Sequence, residues 1–87
     1  MIRIYKYPLE IKERQVVRLP RTSEFLSVIN QNDKIVMYWK IDDTEDMFVD
    51  EEIYVIGTGN PMDERIDYHL GTVKIGDYVW HIFQKTF

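Results

Sequence analysis

The strongest constraint on the fold is a run of alternating apolar side chains that follows an Asn-Asp pair. Every second residue from 35 to 41 is bulky and apolar: Ile35, Met37, Trp39 and Ile41. Alternation with a period of two is typical of a β-strand that buries one face, so Trp39 is predicted to lie in the core. Another β-favouring run, residues 25–30, ends just before Asn32 and Asp33. Because Asn and Asp tolerate the left-handed backbone of a tight turn, the two runs are predicted to form a hairpin.

Further runs of β-branched and aromatic residues predict strands along the rest of the chain. The predicted strands cover residues 1–8, 15–19, 25–30, 34–41, 48–56, 68–75 and 78–83. Pro8 and Pro20 end the first two strands, and Gly76-Asp77 joins the last two. The 87 residues therefore predict a single all-β domain, residues 1–87. Its expected form is a small sandwich or partly open barrel of about seven short, largely antiparallel strands.

Composition limits the setting and the partners of the chain. Without cysteine it has no disulfide, no thiolate nucleophile and no Cys-based zinc site, as expected of a cytoplasmic protein. No apolar run approaches the roughly 20 residues that span a bilayer, and no signal-peptide core is present, so membrane insertion and export by that route are not expected. The formal net charge of −4 argues against general binding to nucleic-acid backbones. A domain this small is marginally stable alone, so a homo-oligomer is expected.

The glycine loop at residues 57–61 (GTGNP) has two interpretations. Its glycines could let backbone N–H groups converge on a phosphate or another anion. The loop lacks the third glycine of the dinucleotide fingerprint and the Gly-Lys-Ser/Thr of a P-loop. A plain turn that needs a positive φ is therefore favoured, and a ligand loop is the alternative.

The two histidines, His69 and His81, fall on facing strands of the last predicted hairpin. A turn at Gly76-Asp77 places His81 opposite Thr72 and His69 opposite Gln84, so the histidines lie about three positions out of register. A shared metal is not expected, because no third ligand is nearby in the sequence. No Ser, Thr or Lys in the sequence context is marked as a catalytic partner, so neither an enzyme nor a cofactor is expected. His81 is interpreted as a hydrogen-bonded, half-buried histidine or as a donor to a ligand.

Trp80 alternates with its neighbours and is predicted to point away from Val79, His81 and Phe83. A core position and an exposed stacking face fit this pattern about equally well. Aromatic faces stack on planar ligands such as nucleobases, so a binding role for Trp80 stays open.

Seven carboxylates crowd into residues 42–52 with no basic residue among them: Asp42, Asp43, Glu45, Asp46, Asp50, Glu51 and Glu52. The spacing is not that of an EF-hand loop, and the central glycine of such a loop is missing. A solvated loop is the favoured interpretation. The alternative is an acidic docking surface for a basic protein partner, with Asp43, Glu45 and Asp46 in contact.

Short segments along most of the chain carry a family resemblance: residues 4–9 (IYKYPL), Gln15-Val16 with Leu19-Pro20, residues 26–28 (LSV) with Gln31, residues 37–39 (MYW), residues 56–59 (IGTG) with Pro61, residues 68–72 (YHLGT) and residues 79–83 (VWHIF). In these the chain resembles a family of small proteins encoded by bacteriophages and prophages. The resemblance implies an accessory phage product in the cytoplasm of an infected bacterial host. Such products often counter host defence, either by binding a defence protein or by sequestering the nucleotide signal that activates it.

Two functional hypotheses follow, and a third, an enzyme built on His69 or His81, ranks below both because neither histidine has an identifiable catalytic companion. The first is a non-catalytic, oligomeric protein that captures a small anionic or nucleotide-like ligand. The ligand would contact backbone donors of residues 57–60, hydroxyl and imidazole groups, an aromatic stacking face and one cation, from the set Tyr7, Arg14, Thr58, Gly59, Asn60, His69, Thr72, Trp80 and His81, with Lys6 as a further candidate cation. The second is an inhibitor of a host defence protein that uses the acidic surface of residues 42–52.

Overall fold

A computed structural model of the chain describes residues 1–86. Within that range the backbone forms seven β-strands and no helix. The strands are β1 (Ile2–Leu9), β2 (Arg14–Pro20), β3 (Glu24–Gln31), β4 (Lys34–Asp42), β5 (Phe48–Gly57), β6 (Tyr68–Ile75) and β7 (Tyr78–Lys85). Each predicted strand is confirmed, and the observed bounds differ from the predicted ones by at most two residues. Among residues 1–86 there is also no helix long and apolar enough to cross a membrane.

The strands form two antiparallel sheets. Sheet A has the order β1-β4-β3, and sheet B has the order β2-β5-β7-β6. The hairpin that joins β3 to β4 turns at Asn32 and Asp33, whose φ angles are 54° and 64°. The predicted Asn-Asp turn is therefore confirmed in its left-handed form. The predicted all-β, antiparallel architecture is confirmed: the two sheets do not close into a barrel, and their arrangement is consistent with a small sandwich.

The core lies between the two sheets. The alternating face of β4 supplies its centre, because Ile35, Met37, Trp39 and Ile41 are at most 4% exposed. Trp39 is a core residue, as predicted, and meets Phe25 edge-on with ring centroids 5.4 Å apart. Sheet B contributes buried residues from all four of its strands: Leu19, Ile53, Val55, Val73 and Ile82. Burying one such side chain contributes about 1.5–3 kcal/mol, which makes this cluster the main source of stability.

A β-bulge in β6 changes the register of the last hairpin. Thr72 pairs with His81, as predicted, but the register shifts between His69 and Gly71. His69 therefore pairs with Phe83 instead of Gln84. The predicted partner of His69 is wrong because a bulge adds one residue to one strand, which simple counting from the turn does not include.

Gly71, at the bulge, lies where β6 approaches β3 of the other sheet. A Cβ built on Gly71 would lie only 2.5 Å from Val28 Cγ1. Close by, Asn30 Nδ2 donates a 2.8 Å hydrogen bond to the backbone oxygen of Lys74. Sheets A and B are thus in close contact here, and only glycine fits at position 71.

The connection between β5 and β6 returns along sheet B. β5 ends where Gly57 pairs with Trp80, whereas β6 begins where Tyr68 pairs with Gln84. The ten residues between them must therefore cover the length of β7. Ile66 within this segment is 6% exposed, and Asp67 accepts a 2.7 Å hydrogen bond from Thr86 Oγ1. These contacts hold the end of the segment against the rest of the domain.

Candidate functional site

Four polar side chains form a continuous string of hydrogen bonds on sheet B. Thr58 Oγ1 lies 2.8 Å from His81 Nε2, and His81 Nδ1 lies 3.1 Å from Thr72 Oγ1. Thr72 Oγ1 in turn lies 3.2 Å from His69 Nε2. All four side chains lie on the face of sheet B that points away from the core, since their strand neighbours Val73 and Ile82 are buried. We call this group the threonine-histidine string.

The bulge brings His69 into the string. With regular alternation from Thr72, position 69 would face the core side of the sheet. The extra residue reverses that orientation, so the rings of His69 and His81 lie 6.5 Å apart. Sequence reasoning placed His81 opposite Thr72 but put the two histidines about three positions out of register, and it marked no threonine as a catalytic partner. A glycine inside the β6 strand pattern was the signal that could have indicated the bulge.

The glycine loop is a tight turn. Asn60 N donates to Gly57 O at 3.0 Å, and Thr58 N donates to Val79 O at 3.2 Å. Gly59 has a φ of 87°, so the favoured prediction of a turn that needs positive φ is confirmed. Two backbone donors of the loop are thus already used, which weakens the alternative of an anion cradle.

Trp80 lies beside this turn, on the face of sheet B opposite to the string. Its ring is half-buried against the core and stacks with the 70% exposed Tyr78, at a centroid distance of 6.3 Å and an interplanar angle of 30°. A Cβ on Gly57 would lie 2.9 Å from Asn60 Nδ2 and 3.2 Å from Trp80 Cζ3. Glycine at this position therefore lets both side chains lie against the backbone.

Two clefts meet at Trp80 and Asn60, which line both of them. The first measures about 350 Å³ and is otherwise lined by Ile11, Lys12, Glu13, Val55, Ile56 and Pro61. The second measures about 450 Å³ and is otherwise lined by Gly57, Thr58, Asp77, Tyr78 and Val79. Thr58 lines the second cleft and also belongs to the threonine-histidine string, so it connects the groups on the two faces of sheet B. We call the two depressions together the Trp80 clefts.

Comparison with known proteins assigns the chain to a family. A model described as "Domain of unknown function (DUF7352)" matches residues 1–87. The chain belongs to the DUF7352 family. No curated protein and no solved structure matches it. Since the family match covers the whole length, the strands and the candidate site all lie within the DUF7352 domain.

Tyr7 and Arg14 do not line the Trp80 clefts of the DUF7352 domain. Tyr7 is on sheet A, where it packs against the core, and burial raises the pKa of its hydroxyl. Tyr7 lines another cleft of about 420 Å³ between β1 and β2, which shares Lys12 with the first of the Trp80 clefts. Arg14 Nε donates a 2.7 Å hydrogen bond to Glu52, so its charge is already paired. The remaining predicted ligand residues divide between the two faces of sheet B. Thr58, Asn60 and Trp80 line the second cleft, with Gly59 in the turn between Thr58 and Asn60. His69, Thr72 and His81 lie on the opposite face and are joined to the cleft through Thr58.

The acidic run of the DUF7352 domain is largely paired within the chain. Asp43 accepts from the Arg3 guanidinium, and Glu52 accepts from Arg14. Glu45 accepts a 3.0 Å hydrogen bond from Met47 N and keeps only 14% of its side chain exposed. Glu51 accepts at 2.6 Å from Gln84 Nε2. These contacts leave less free negative charge for a basic protein partner than the sequence indicates, which weakens the docking alternative.

The ion pair of Asp43 predicts a loss of stability in acid. The hydrogen bond from Arg3 holds the pKa of Asp43 below its ordinary value of 3.8. In the unfolded chain this carboxyl takes up a proton at a higher pH than in the folded chain, so its contribution is complete above about pH 5 and is lost as the pH falls through the folded pKa. We expect the melting temperature to fall between pH 5 and 2, and to fall less steeply in Asp43→Asn.

Asp46→Asn is the matched control for that measurement, because Asp46 lies on the same loop and is exposed. Its acid profile should follow that of the unmodified protein. If Asp43→Asn and Asp46→Asn reduce the acid-induced fall in melting temperature equally, the Arg3 contact has no effect on acid stability. Since the pair is at the surface, added salt should also reduce the difference between the unmodified protein and Asp43→Asn.

Among residues 1–86, no three side chains of the His, Asp, Glu or Cys type lie close enough together to hold a metal ion. The ring nitrogens that face Thr72 are also within hydrogen-bond distance of its hydroxyl. The arrangement is suited to hydrogen bonding and to proton transfer.

Proposed function

We propose that this DUF7352 chain is a non-catalytic binding protein that captures a small, planar, nucleotide-like ligand in the Trp80 clefts. The proposal rests on one observation: two clefts, of about 350 and 450 Å³, meet at the ring of Trp80 and the side-chain amide of Asn60. Cavities of roughly 300–1,000 Å³ with aromatic walls and a few polar groups are typical of small-molecule sites.

The aromatic pair supplies the stacking surface in this proposal. Tyr78 is mostly exposed, and its ring plane lies within 30° of that of Trp80. Stacking a base on an aromatic side chain contributes about 1–3 kcal/mol and needs little sequence or base selectivity. The side-chain amide of Asn60 offers N–H donors and a carbonyl acceptor, which suits the edge of a nucleobase.

The charge for an anionic group of the ligand would come from Lys12. Its Nζ lies 3.1 Å from a carboxylate oxygen of Glu10, and both side chains are more than half exposed. Exposed pairs of this kind contribute little to stability, so a phosphate could replace the Glu10 contact at small cost. The role first expected of Arg14 and Tyr7 thus passes to Lys12 and Tyr78.

Within this proposal the histidines orient the site and do not contact the ligand directly. Both ring nitrogens of His81 are already within hydrogen-bond distance of threonine hydroxyls. The Nε2 contact holds the side chain of Thr58, an exposed residue that lines the second cleft. Thr58 is therefore the member of the string that would meet the ligand.

The resemblance of the sequence to small phage proteins supports a biological setting for this proposal. A phage accessory protein of this kind would sequester a nucleotide signal of host defence in the cytoplasm of the infected cell. The small size supports a homo-oligomer. So does the edge strand β1, whose Ile2 and Ile4 are 60% and 63% exposed on the outer side of sheet A. Light scattering coupled to size-exclusion chromatography tests the oligomer, and a single species of 10.5 kDa would contradict it.

A thermal-shift panel tests the ligand class. The panel contains adenosine and guanosine monophosphates, their cyclic forms, cyclic dinucleotides, the parent nucleosides and inorganic phosphate. A nucleotide present at 100 times its Kd stabilises the folded state by about 2.7 kcal/mol, which corresponds to a rise in melting temperature of roughly 10 °C or more. Nucleosides should give a smaller rise and phosphate alone almost none. No shift with any nucleotide at millimolar concentration would contradict the proposal.

A further inference from the structure

The Thr58–His81 contact has the geometry of a nucleophile and its base. Thr58 Oγ1 and His81 Nε2 are 2.8 Å apart, within the 2.6–3.2 Å over which a base removes a proton. The other nitrogen of the same imidazole is held by Thr72 Oγ1 at 3.1 Å. A nucleophile, a base and a group that orients the base are the three parts that activate a hydroxyl in covalent catalysis.

One arrangement of hydrogens gives every member of the string a good partner. In it the Thr58 hydroxyl donates to His81 Nε2, His81 Nδ1–H donates to Thr72 Oγ1, and the Thr72 hydroxyl donates to His69 Nε2. In the opposite arrangement the same three contacts form with donors and acceptors exchanged, and the Thr58 hydroxyl donates to the carbonyl of Val79 at 3.4 Å. General-base work by His81 uses the first arrangement, in which His81 Nε2 carries no hydrogen and can accept the Thr58 proton.

The surroundings of Thr58 give a substrate access to it. Its side chain is exposed and lines the second of the Trp80 clefts. Among residues 1–86, the N–H groups of Thr58 and Asn60 donate to carbonyls of the chain, whereas that of Gly59 has no such acceptor. The residue that follows the hydroxyl therefore keeps a donor that could stabilise a developing oxyanion.

We infer that Thr58 is an activated nucleophile that accepts an acyl group from an activated carboxylic ester, with His81 as its general base. Thr58 Oγ1 forms a bond to the carbonyl carbon of the ester while its proton moves to His81 Nε2. The bond between that carbon and the leaving oxygen then breaks, and the leaving group departs with the proton from His81. The products are an ester on Thr58 and a free phenol or alcohol, so atoms and charge balance. Thr72 and His69 are positioning residues.

This reaction does not depend on nucleotide capture. It requires only one acylation per chain, and it needs no turnover. A chain that reacts at Thr58 without any nucleotide-induced shift would leave this inference intact and contradict the proposed function. The reverse result would leave the proposed function intact and overturn this inference.

Labelling with p-nitrophenyl acetate tests the inference directly. We expect one acetyl group per chain by intact mass, located on Thr58 by peptide mapping. Hydroxylamine should remove it, because esters are cleaved under conditions where lysine amides persist. Thr22 and Thr44 are internal controls, since both are exposed and Thr44 Oγ1 donates to the carboxylate of Asp42 instead of to an imidazole.

Variants separate base catalysis from simple exposure of the hydroxyl. Thr58→Val should abolish the ester. His81→Gln should slow labelling of Thr58 by about 100-fold or more, because a positioned general base contributes about 10²–10⁴-fold. Thr72→Val should slow labelling as well, and Thr72→Ser, which restores the hydroxyl, should recover it. Circular dichroism confirms the fold of each variant. Labelling of Thr58 no faster than that of Thr22 or Thr44, or an unchanged rate in a folded His81→Gln, would overturn the inference.

Discussion

Replacing Gly71 with alanine is expected to destabilise the domain by about 1–3 kcal/mol, the usual cost of an extra methyl group in a closely packed site. The new Cβ would lie 2.5 Å from Val28 Cγ1, well inside ordinary van der Waals contact. Val28 is β-branched and has few alternative χ1 rotamers, so the overlap must be relieved by moving the two sheets apart. In a domain of this size the melting temperature should fall by roughly 5–20 °C, measured by calorimetry.

A double variant makes the cause of that loss testable. Val28→Ala removes the atom that the new Cβ would meet, so Gly71→Ala combined with Val28→Ala should be more stable than the sum of the two single effects predicts. The difference should be about 0.5–3 kcal/mol, as for other residues in contact. Lys74→Ala is the control on the same strand, because its side chain is exposed. Strict additivity of the two changes would show that the Val28–Gly71 contact does not cause the loss.

Replacing Trp80 with alanine is expected to weaken nucleotide binding by about 5- to 150-fold, as the loss of one base-stacking contact of 1–3 kcal/mol predicts. Trp80 lines both clefts and supports the ring of Tyr78, so its removal takes away the stacking surface and the wall between the clefts. Titration calorimetry measures the affinity. The nucleotide is the one that gives the largest thermal shift.

Two further variants control for effects on folding. Trp80→Phe keeps an aromatic face and should recover most of the affinity lost in the alanine variant. Tyr68→Ala removes an aromatic side chain that is 57% exposed at the other end of β7, where Tyr68 pairs with Gln84, and should leave the affinity unchanged. Equal losses in Tyr68→Ala and Trp80→Ala would contradict a site at the Trp80 clefts.

The local sequence pattern was sufficient to predict the strands and the hairpins. The period-two run from Ile35 to Ile41 identified a buried face without any knowledge of its partner strands. Asn32 and Asp33 identified the turn, because few other residues tolerate their φ angles of 54° and 64°. In both cases the cause lies within a few residues, so one sequence contains the information.

Contacts between distant segments could not be predicted from the local sequence pattern. Nothing in the pattern of β1 indicates that it pairs with β4 rather than with β2, its neighbour in the chain. The string of Thr58, Thr72 and the two histidines depends on a bulge that no simple pairing count includes. From the sequence Asp43 also looks like an unpaired charge, because its partner Arg3 lies 40 residues away and comes close only in the folded chain. Each of these features is a property of tertiary structure, in which segments far apart in sequence meet.

Nuclear magnetic resonance mapping of nucleotide binding tests the central claim most directly. The chain has two tryptophans, so the indole signal of Trp80 can be followed beside that of the buried Trp39 as an internal reference. On titration with the nucleotide that gives the largest thermal shift, we expect changes at the Trp80 indole and at the backbone amides of Lys12, Tyr78 and residues 57–60. The Trp39 indole and the amides of residues 43–46 should stay in place. Shifts that concentrate on residues 43–46 and leave Trp80 unchanged would contradict the account.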